Sequence, residues 1–418
     1  MHKRNESFNK THLAFSTYFL FGIRNLRRNS RRTLLTILAL AVAMGSLTYL
    51  FAFLNAYMTS MKENFVLSMN GHVQIYAQNF KETNLIDDYI KNPTDIIEFL
   101  DKNPNVEGWT GRISTSGLAS VARSTTSVAI IGIDPVQETN VTFLKDFVIE
   151  GEWLNSSVRG VILGNNVAKN LEVEIGDKVV FTTQGPGGDI VSEAFRVRGI
   201  IQSGIPDIDR MFSLIDLKSV QDWLGIGDGI TELIIRTESF ESVNLVTNNL
   251  SEEFEHSYDV WPWYEQNPII QQLLAMQDAF RFILVGIVVI LVLGQLINTM
   301  FMSLHDRVRE FGLMESLGSQ RINLFFMLIW ESVILVSIGG TFGYLIAYLI
   351  MTISSGIDLT AFGDTLGSLY IDSVIRPFID KESTIFIFST IFITAILTGL
   401  IPAWRATRLN PIEALRRI

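Results

Sequence analysis

Four long apolar segments constrain the fold of this chain more than any other feature of its sequence. They occupy residues 34–58, 279–304, 323–351 and 384–404. A helix needs about 20 mainly apolar residues to cross the roughly 30 Å hydrocarbon core of a bilayer, and each segment has that length. The sequence therefore predicts an integral membrane protein of four transmembrane helices. Residues 59–278 would form a large domain inserted between the first two.

Basic residues choose the orientation of these helices. Arginines precede the first segment and follow the fourth, at Arg24, Arg27, Arg28, Arg31, Arg32, Arg405, Arg408, Arg416 and Arg417. By the positive-inside rule, both termini lie in the cytoplasm and the inserted domain lies outside. Residues 13–32 are also amphipathic, which predicts an elbow helix in the inner membrane interface. A simple topogenic cluster of charges is the alternative.

The inserted segment reads as a mixed α+β domain. It carries 32 Asp and Glu against 15 Lys and Arg. Helical spacing at both of its ends predicts stalks that extend the first and second spans. A helix is predicted at 241–254, a hairpin of strand, turn and strand at 121–134, and single strands at 177–184, 192–201 and 230–237.

Residue types for covalent chemistry are missing or scattered. The chain has no cysteine, which excludes disulfides and thiolate ligands. No histidine has a second histidine three or four positions later. The motif G-x-x-x-x-G-K-[ST] is absent, so GPGG at 185–188 reads as a hairpin turn rather than a phosphate-binding loop. The sequence predicts no catalytic residue, no metal site, no cofactor and no nucleic-acid partner for this chain.

Polar and small residues inside the spans raise two further questions. Glu331 is an acid within the third span, where a charge is costly and suggests a function; a structural bond to a neighbouring helix near the inner face is the interpretation we favour. Gly339, Gly343 and Ala347 recur every four residues, which lets another helix approach closely. That helix could belong to the same subunit or to a second one. Four helices are few to enclose a path, so we expect a dimer.

Several stretches resemble one family of membrane proteins. They are GIRNLRRNSRRTLLTILALAVAMG before and within the first span, IIGIDP at 130–135, VILGNNVAKNLEVEIGDKV at 161–179, MSLHDRVREFGLMESLGSQRINLFFMLIWESVILVSIGG at 302–340, and PAWRATRLNPIEALR near the end. Together with the order of spans, they resemble ABC transporter permeases of the MacB and lipoprotein-releasing (LolC/LolE) type. The FtsX division protein is a more distant resemblance.

The resemblance implies a type VII, mechanotransmission transporter in the bacterial inner membrane. Its partners would be two copies of a separate cytoplasmic ATPase that bind ATP and Mg, a second permease subunit (identical or a paralogue), and a periplasmic carrier or adaptor. The implied function is extraction or export of a lipoprotein or amphipathic substrate at the outer face of the membrane. FtsX-like signalling without transport and MacB-like efflux through an outer-membrane factor are the alternatives. The LolC-type hook is not evident, because only about seven residues, GPGGDIV, join the two hairpin strands.

On this basis the chain divides into nine parts. They are a cytoplasmic N-terminus with the elbow helix (1–32), the first span (33–58), the periplasmic domain with its stalks (59–278), the second span (279–304), a cytoplasmic coupling helix (305–321), the third span (322–351), a short periplasmic loop (352–383), the fourth span (384–404) and a cytoplasmic C-terminus (405–418).

Two sets of residues are candidates for function. A coupling helix that enters a groove on an ATPase needs apolar residues on one face and charges beside them. The apolar candidates are Phe311, Met314 and Leu317, and the charged candidates are Arg309, Glu310 and Glu315. The alternative is a helix that lies on the lipid. For a substrate cavity between the first and second spans of a dimer, the candidates are Leu50, Phe53, Leu54, Phe280, Leu284 and Ile287.

Overall fold

The computed structural model describes residues 24, 26–28, 30–83, 85–155, 159–254, 257–362 and 374–406. These residues form two compact units. The membrane unit comprises residues 1–57, 275–357 and 375–418, and the inserted domain comprises 58–274 with 358–374. The predicted elbow helix and cytoplasmic C-terminus lie mostly outside the described residues, as do residues 363–373 of the predicted short loop.

Helices account for all of the predicted spans. In chain order the α-helices are α1 (Ser30–Phe65), α2 (Phe80–Thr83), α3 (Thr94–Lys102), α4 (Glu138–Val141), α5 (Asn165–Leu171), α6 (Pro206–Met211), α7 (Leu217–Leu224), α8 (Val243–Glu253), α9 (Trp263–Gln266), α10 (Pro268–Asp306), α11 (Val308–Ser316), α12 (Arg321–Ile353) and α13 (Lys381–Ala406). Of these, α1, α10, α12 and α13 are long and apolar enough to cross a membrane. The prediction of four transmembrane helices is confirmed.

Small residues bring α1 and α12 into close contact. A methyl group added at Gly343 would lie 2.4 Å from the carbonyl oxygen of Ala41, and one added at Gly339 would lie 2.6 Å from Cβ of Leu40. Ala347 is also buried. Of the two alternatives for this row of small residues, packing within one subunit is therefore present. A Cβ at Gly343 has no room because its nearest neighbours are backbone atoms.

The inserted domain is built on a ten-stranded sheet. Its strands are β1 (Val73–Ala77), β2 (Val106–Ser120), β3 (Thr125–Ile133), β4 (Val148–Gly151), β5 (Gly160–Gly164), β6 (Lys178–Gln184), β7 (Ile190–Ile201), β8 (Phe212–Asp216), β9 (Glu232–Thr237) and β10 (Tyr258–Pro262). The strands follow the order β10-β1-β9-β2-β3-β8-β5-β7-β4, and β6 pairs with β2 and β7. Two further short strands, β11 (Ile357–Asp358) and β12 (Val374–Ile375), follow α12 in the chain.

Most neighbouring strands are antiparallel, but β3 pairs with β8 and β5 pairs with β7 in parallel. Helices α2 to α8 lie between successive strands of the sheet, and α9 follows β10. The predicted α+β class is confirmed. The predicted hairpin at 121–134 is displaced: residues 121–124 form the turn, closed by the Val121 amide and the Ser124 carbonyl at 2.9 Å, and its first strand is β2. Sequence patterning missed β2 because its Gly, Ser and Thr residues lack apolar alternation. Residues 185–189 join β6 to β7, a link as short as predicted.

Candidate functional site

The connection between the second and third spans contains the helix α11. Its end is closed by backbone hydrogen bonds from Leu317 to the Leu313 carbonyl (3.0 Å) and from Ser319 to the Met314 carbonyl (2.9 Å). Gly318 has φ of 93°, which a residue with a side chain adopts at a cost. Glycine at this position therefore allows the chain to leave α11 and begin α12 within a few residues.

The charges of this connection are paired within the chain. Arg28 contacts Glu310 at 2.6 Å, and Arg32 contacts Asp306 at 2.9 Å. Both arginines precede the first span. Glu315 contacts Arg321 at 2.6 Å. Each exposed pair contributes only about 0–1 kcal/mol. The Arg28–Glu310 pair holds α11, and the Arg32–Asp306 pair holds the end of α10, against the basic segment at the start of α1. The Glu315–Arg321 pair joins α11 to the start of α12.

The apolar residues predicted to share one face of α11 are partly buried against the spans and partly exposed. Phe311 is 2% exposed and packs in the apolar core of the membrane helices, and Met314 packs against the same core. Phe311 was predicted to enter a groove of the ATPase together with Met314 and Leu317, but in the structure its side chain faces the spans. The exposed apolar side chains are Leu313 and Leu317, at 54% and 81%. Leu313 was not predicted, since it lies outside the three-residue repeat.

Arg309 completes the outer face as an exposed cation, and Glu310 and Glu315 are half-buried within their ion pairs. The outer face therefore has two exposed leucines among charges of both signs. A surface of this kind can dock into a groove of a partner protein, with apolar residues in the groove and charges at its rim.

Glu331 has its partners on the neighbouring span. Arg307 Nη1 lies 3.0 Å from Glu331 Oε2, and the Ser303 hydroxyl donates to Oε1 at 3.2 Å. Both charged side chains are at most 5% exposed. This geometry supports the structural interpretation of Glu331. The sequence shows Arg307 only as one of several charges in the connection. That its side chain is buried against Glu331 of α12 follows from the packing of the helices.

The six predicted cavity residues are exposed or half-buried in the single subunit. Phe280 and Ile287 are each 51% exposed. Leu50, Phe53, Leu54 and Leu284 are half-buried. The predicted cavity belongs to a dimer, so it stays a prediction.

A different pocket lies at the end of the spans from which the chain enters the inserted domain. It has a volume of about 290 Å³, and its wall consists of Phe51, Arg281, Phe282, Asp380, Glu382, Ser383 and Phe386. Asn55 organises its polar side: the amide nitrogen donates to Asp380 at 2.9 Å and to Ser383 at 3.0 Å, and the amide oxygen accepts from Arg281. Burial opposes ionisation of Asp380, but hydrogen bonds from Ser383 and Asn55 outweigh it and lower the pKa of that carboxyl.

The inserted domain holds buried charges but, in its described residues, no group of three potential metal ligands. Arg112 and Glu138 form a bidentate pair, with Nε–Oε2 at 3.0 Å and Nη2–Oε1 at 2.5 Å. The Thr142 hydroxyl also donates to Glu138. Burial and the positive charge of Arg236 lower the pKa of His72 to about 4. Both arrangements are structural, because each is enclosed by the core.

Two family models match this chain. The MacB-like periplasmic core domain covers residues 33–253, which is more than half of the chain. The FtsX-like permease C-terminal model covers residues 282–411. The first therefore includes α1 and most of the inserted domain, and the second includes most of α10 with α11, α12 and α13.

The chain is also similar to known permeases along most of its length. It is 23% identical to the lipoprotein-releasing system transmembrane protein LolC of Xylella fastidiosa, with 94% of this chain and 97% of that protein covered. It is 20% identical to the LolE protein of the same system in Haemophilus influenzae, with 96% and 99% covered. The macrolide export ATP-binding/permease protein MacB of Pasteurella multocida is 21% identical, with 95% of this chain and 60% of that protein covered. This chain therefore belongs to the MacB-like and FtsX-like family of ABC transporter permeases.

Proposed function

We propose that this permease couples ATP hydrolysis by a separate cytoplasmic ATPase to the extraction or export of a lipoprotein or another amphipathic substrate. The outer face of α11 is the observation that carries the proposal. Leu313 and Leu317 are exposed there, while Phe311 anchors the opposite face in the core of the spans. A push on α11 would thus reach the transmembrane helices directly.

ATP binding is assigned to another polypeptide because this sequence contains no Walker motif. Two copies of that ATPase would bind ATP and Mg, one on each permease subunit. The relative named as ATP-binding/permease protein is covered over only 60% of its length, whereas the LolC and LolE relatives are covered almost completely. The arrangement that fits this chain is therefore the one with a permease that is not itself an enzyme.

Orientation follows from charge. Arg28, just before α1, pairs with Glu310 of α11, and Arg32, near the start of α1, pairs with Asp306 at the end of α10. The start of α1 and the connection between α10 and α12 therefore lie at the same end of the spans. The positive-inside rule assigns that end to the cytoplasm. With both termini inside, the inserted domain lies on the periplasmic side of a bacterial inner membrane, where a carrier or adaptor protein would meet it.

A second permease subunit is proposed from the exposure of α10. Only 11% of its most apolar stretch is buried, compared with 44%, 39% and 33% in α1, α12 and α13. Among its exposed side chains are Phe282, Ile283 and Ile290. In a dimer with an identical or a paralogous subunit, part of this surface would contact the second subunit. The rest would line a substrate cavity that is open to the outer leaflet.

The coupling assignment is tested with Leu317→Asp combined with Glu310→Arg in the complex purified with its ATPase. We expect the ATPase to dissociate, because an anion replaces an apolar contact and the charge at the rim is reversed. The measurements are retention of the ATPase on the tagged permease and the rate of ATP hydrolysis. An intact complex with unaltered hydrolysis would remove the coupling assignment.

A charge swap separates the partner contact from the contact within the chain. Arg28→Glu with Glu310→Arg restores the internal ion pair with its polarity reversed. If Glu310 only orients α11, the swap restores ATPase binding lost in Glu310→Arg. If Glu310 contacts the ATPase, binding stays weak. Arg159→Glu with Glu193→Arg, a surface pair of the inserted domain at 3.0 Å, is the matched control.

The substrate class is tested separately. Lipids and lipoproteins that co-purify with the complex are identified by mass spectrometry with and without ATP. We expect an acylated species that is released on ATP addition. Release of no acylated species, together with activation of a periplasmic hydrolase, would favour the signalling alternative.

A further inference from the structure

The pocket lined by Phe51, Arg281 and Asp380, called the outer pocket below, contains one cation, Arg281. Toward the described residues, most of the hydrogen-bonding capacity of Arg281 is unused. Its guanidinium has five N–H donors, of which one is given to the Asn55 amide oxygen. Nε is shielded from solvent and has no hydrogen-bond partner. Among the described residues, no carboxylate forms an ion pair with this guanidinium. Its charge is therefore available to an anion that enters the pocket.

Part of the pocket wall is aromatic. The rings of Phe51 and Phe386 stack with their centroids 5.8 Å apart, and the Arg281 guanidinium carbon lies 5.7 Å from the Phe51 centroid. Phe282 also lines the pocket and is 69% exposed. A ligand in contact with these rings would continue along the apolar surface of α10 and α13. This combination of a charged end and an apolar path suits a lipid headgroup.

Carboxylates are present in the same pocket. Asp380 and Glu382 both line it, and Glu382 forms no ion pair with a described residue. Asn55 stands between Asp380 and Arg281 and hydrogen-bonds both. The pocket therefore has a positive group and negative groups at separate positions. This arrangement is complementary to a zwitterion, whose anion would meet Arg281 and whose cation would meet the carboxylates.

We propose that this pocket binds the headgroup of an ethanolamine phospholipid from the leaflet on the side of the inserted domain. The phosphate accepts hydrogen bonds from Arg281, the primary ammonium donates to Glu382 and Asp380, and the glycerol and first methylenes contact Phe282 and Phe386. A volume of about 290 Å³ is at the lower limit for small-molecule sites, roughly 300 Å³. It accommodates a headgroup, while the acyl chains remain in the bilayer.

The chemistry predicts an order of preference among lipids. Phosphatidylglycerol supplies the phosphate but no cation, and it brings a negative net charge towards two carboxylates. Phosphatidylcholine supplies both charges, but its trimethylammonium has no N–H to donate. Only the ethanolamine headgroup satisfies both sides with charge-assisted hydrogen bonds.

The test uses the full chain purified in detergent and offered equimolar palmitoyl-oleoyl phosphatidylethanolamine, phosphatidylglycerol and phosphatidylcholine. Native mass spectrometry measures the bound fraction of each. We expect phosphatidylethanolamine to bind preferentially, and Arg281→Gln to lower its bound fraction about tenfold, as loss of a charged hydrogen-bond partner would. Gln retains a donor for Asn55, so the variant keeps the local helix contact.

Two further variants keep the result interpretable. Glu382→Gln should lower binding of phosphatidylethanolamine and leave phosphatidylglycerol unchanged or stronger. Arg376→Gln removes an exposed arginine outside the pocket and should change neither. Equal binding of the three lipids to the unmodified chain, or undiminished phosphatidylethanolamine in Arg281→Gln, would overturn the proposal. The permease is assayed without its ATPase, so this outcome is independent of the coupling assignment.

Discussion

The membrane unit and the inserted domain each bury one arginine against one glutamate, and the two pairs are built differently. In the inserted domain, Arg112 donates two hydrogen bonds to the Glu138 carboxylate. In the membrane unit, Arg307 contacts Glu331 through one nitrogen, and Ser303 satisfies the other carboxylate oxygen. Each carboxylate also accepts a hydrogen bond from a hydroxyl, Glu138 from Thr142 and Glu331 from Ser303. The pairs differ in the second hydrogen bond between Arg112 and Glu138, and in position, because Arg307 directly precedes α11.

Because the two pairs lie in different places, the loss of each should affect a different part of the molecule. Arg112 and Glu138 lie within a rigid sheet and its adjoining helix, so breaking them should disturb the fold of the domain. Arg307 lies at the junction of α10 and α11, so breaking its contact should disturb the position of α11. Under the proposed function, a buried pair of the second kind would transmit force between a partner on α11 and the spans.

The largest expected effect comes from removing one partner of each pair. Glu138→Ala and Glu331→Ala each remove the carboxylate that is hydrogen-bonded to a buried arginine, which costs about 3–5 kcal/mol. Hydrogen–deuterium exchange of the purified full chain should show loss of protection in β2 and β9 for Glu138→Ala, and in α11 for Glu331→Ala. Glu193→Ala, at an exposed pair, is the control. Equal, chain-wide loss of protection in both variants would remove the distinction between the pairs.

A smaller, pH-dependent effect should be confined to the inserted domain. His72 accepts a hydrogen bond at Nδ1 from the Thr237 amide at 3.2 Å, and its pKa is lowered from 6.5 to about 4. The unfolded chain therefore binds the proton at higher pH than the folded domain does. The free energy of unfolding should decrease as pH falls from about 6.5 to about 4, by up to about 3 kcal/mol.

Hydrogen exchange in β1 at pH 7, 5.5 and 4.5 measures this effect, after correction for the intrinsic pH dependence of exchange. His72→Gln should flatten the profile, because glutamine does not titrate. Loss of protection in α12 over the same range, abolished by His72→Gln, would show that the effect is not confined to the domain. An unchanged profile in the variant would assign the pH dependence to other groups.

The smallest expected effect distinguishes the geometry of the two pairs. Arg112→Lys and Arg307→Lys retain the positive charge but lose the planar guanidinium. Lysine cannot reproduce the bidentate contact with Glu138, whereas it can reproduce a single contact with Glu331. We expect Arg112→Lys to be more destabilising, by about 1 kcal/mol. Thermal unfolding of both variants measures the difference, and an equal loss of stability would show that the second hydrogen bond contributes nothing.

Much of the architecture could be predicted because membrane burial leaves a strong pattern in sequence. Twenty consecutive apolar residues have few alternatives to a span, and Glu331 stands out against them. Arg112 and Glu138 could not be identified in the same way, since each is one charge among many in a polar segment. The long strand β2 was missed because neighbouring strands on both sides, rather than its own propensity, hold it in the sheet.

The candidate site shows the same division. Spacing predicted a short helix with an apolar face between the second and third spans. It did not predict that Phe311 faces the membrane core while Leu313 and Leu317 face outward, because the direction of a helix face depends on what the helix packs against. The outer pocket was missed entirely: Phe51, Arg281, Asp380 and Phe386 come from three separate spans.

By itself, therefore, the sequence determined the number and order of the spans, the α+β class of the inserted domain and the family. Those properties follow from local hydropathy, local propensity and short motifs, each readable within a few dozen residues. The tertiary structure alone decided the partners of the buried charges, the outward face of α11 and the pocket around Arg281. Each of these depends on side chains distant in sequence that meet only when the helices and strands are packed, and the free energy of a buried charge is set by such neighbours.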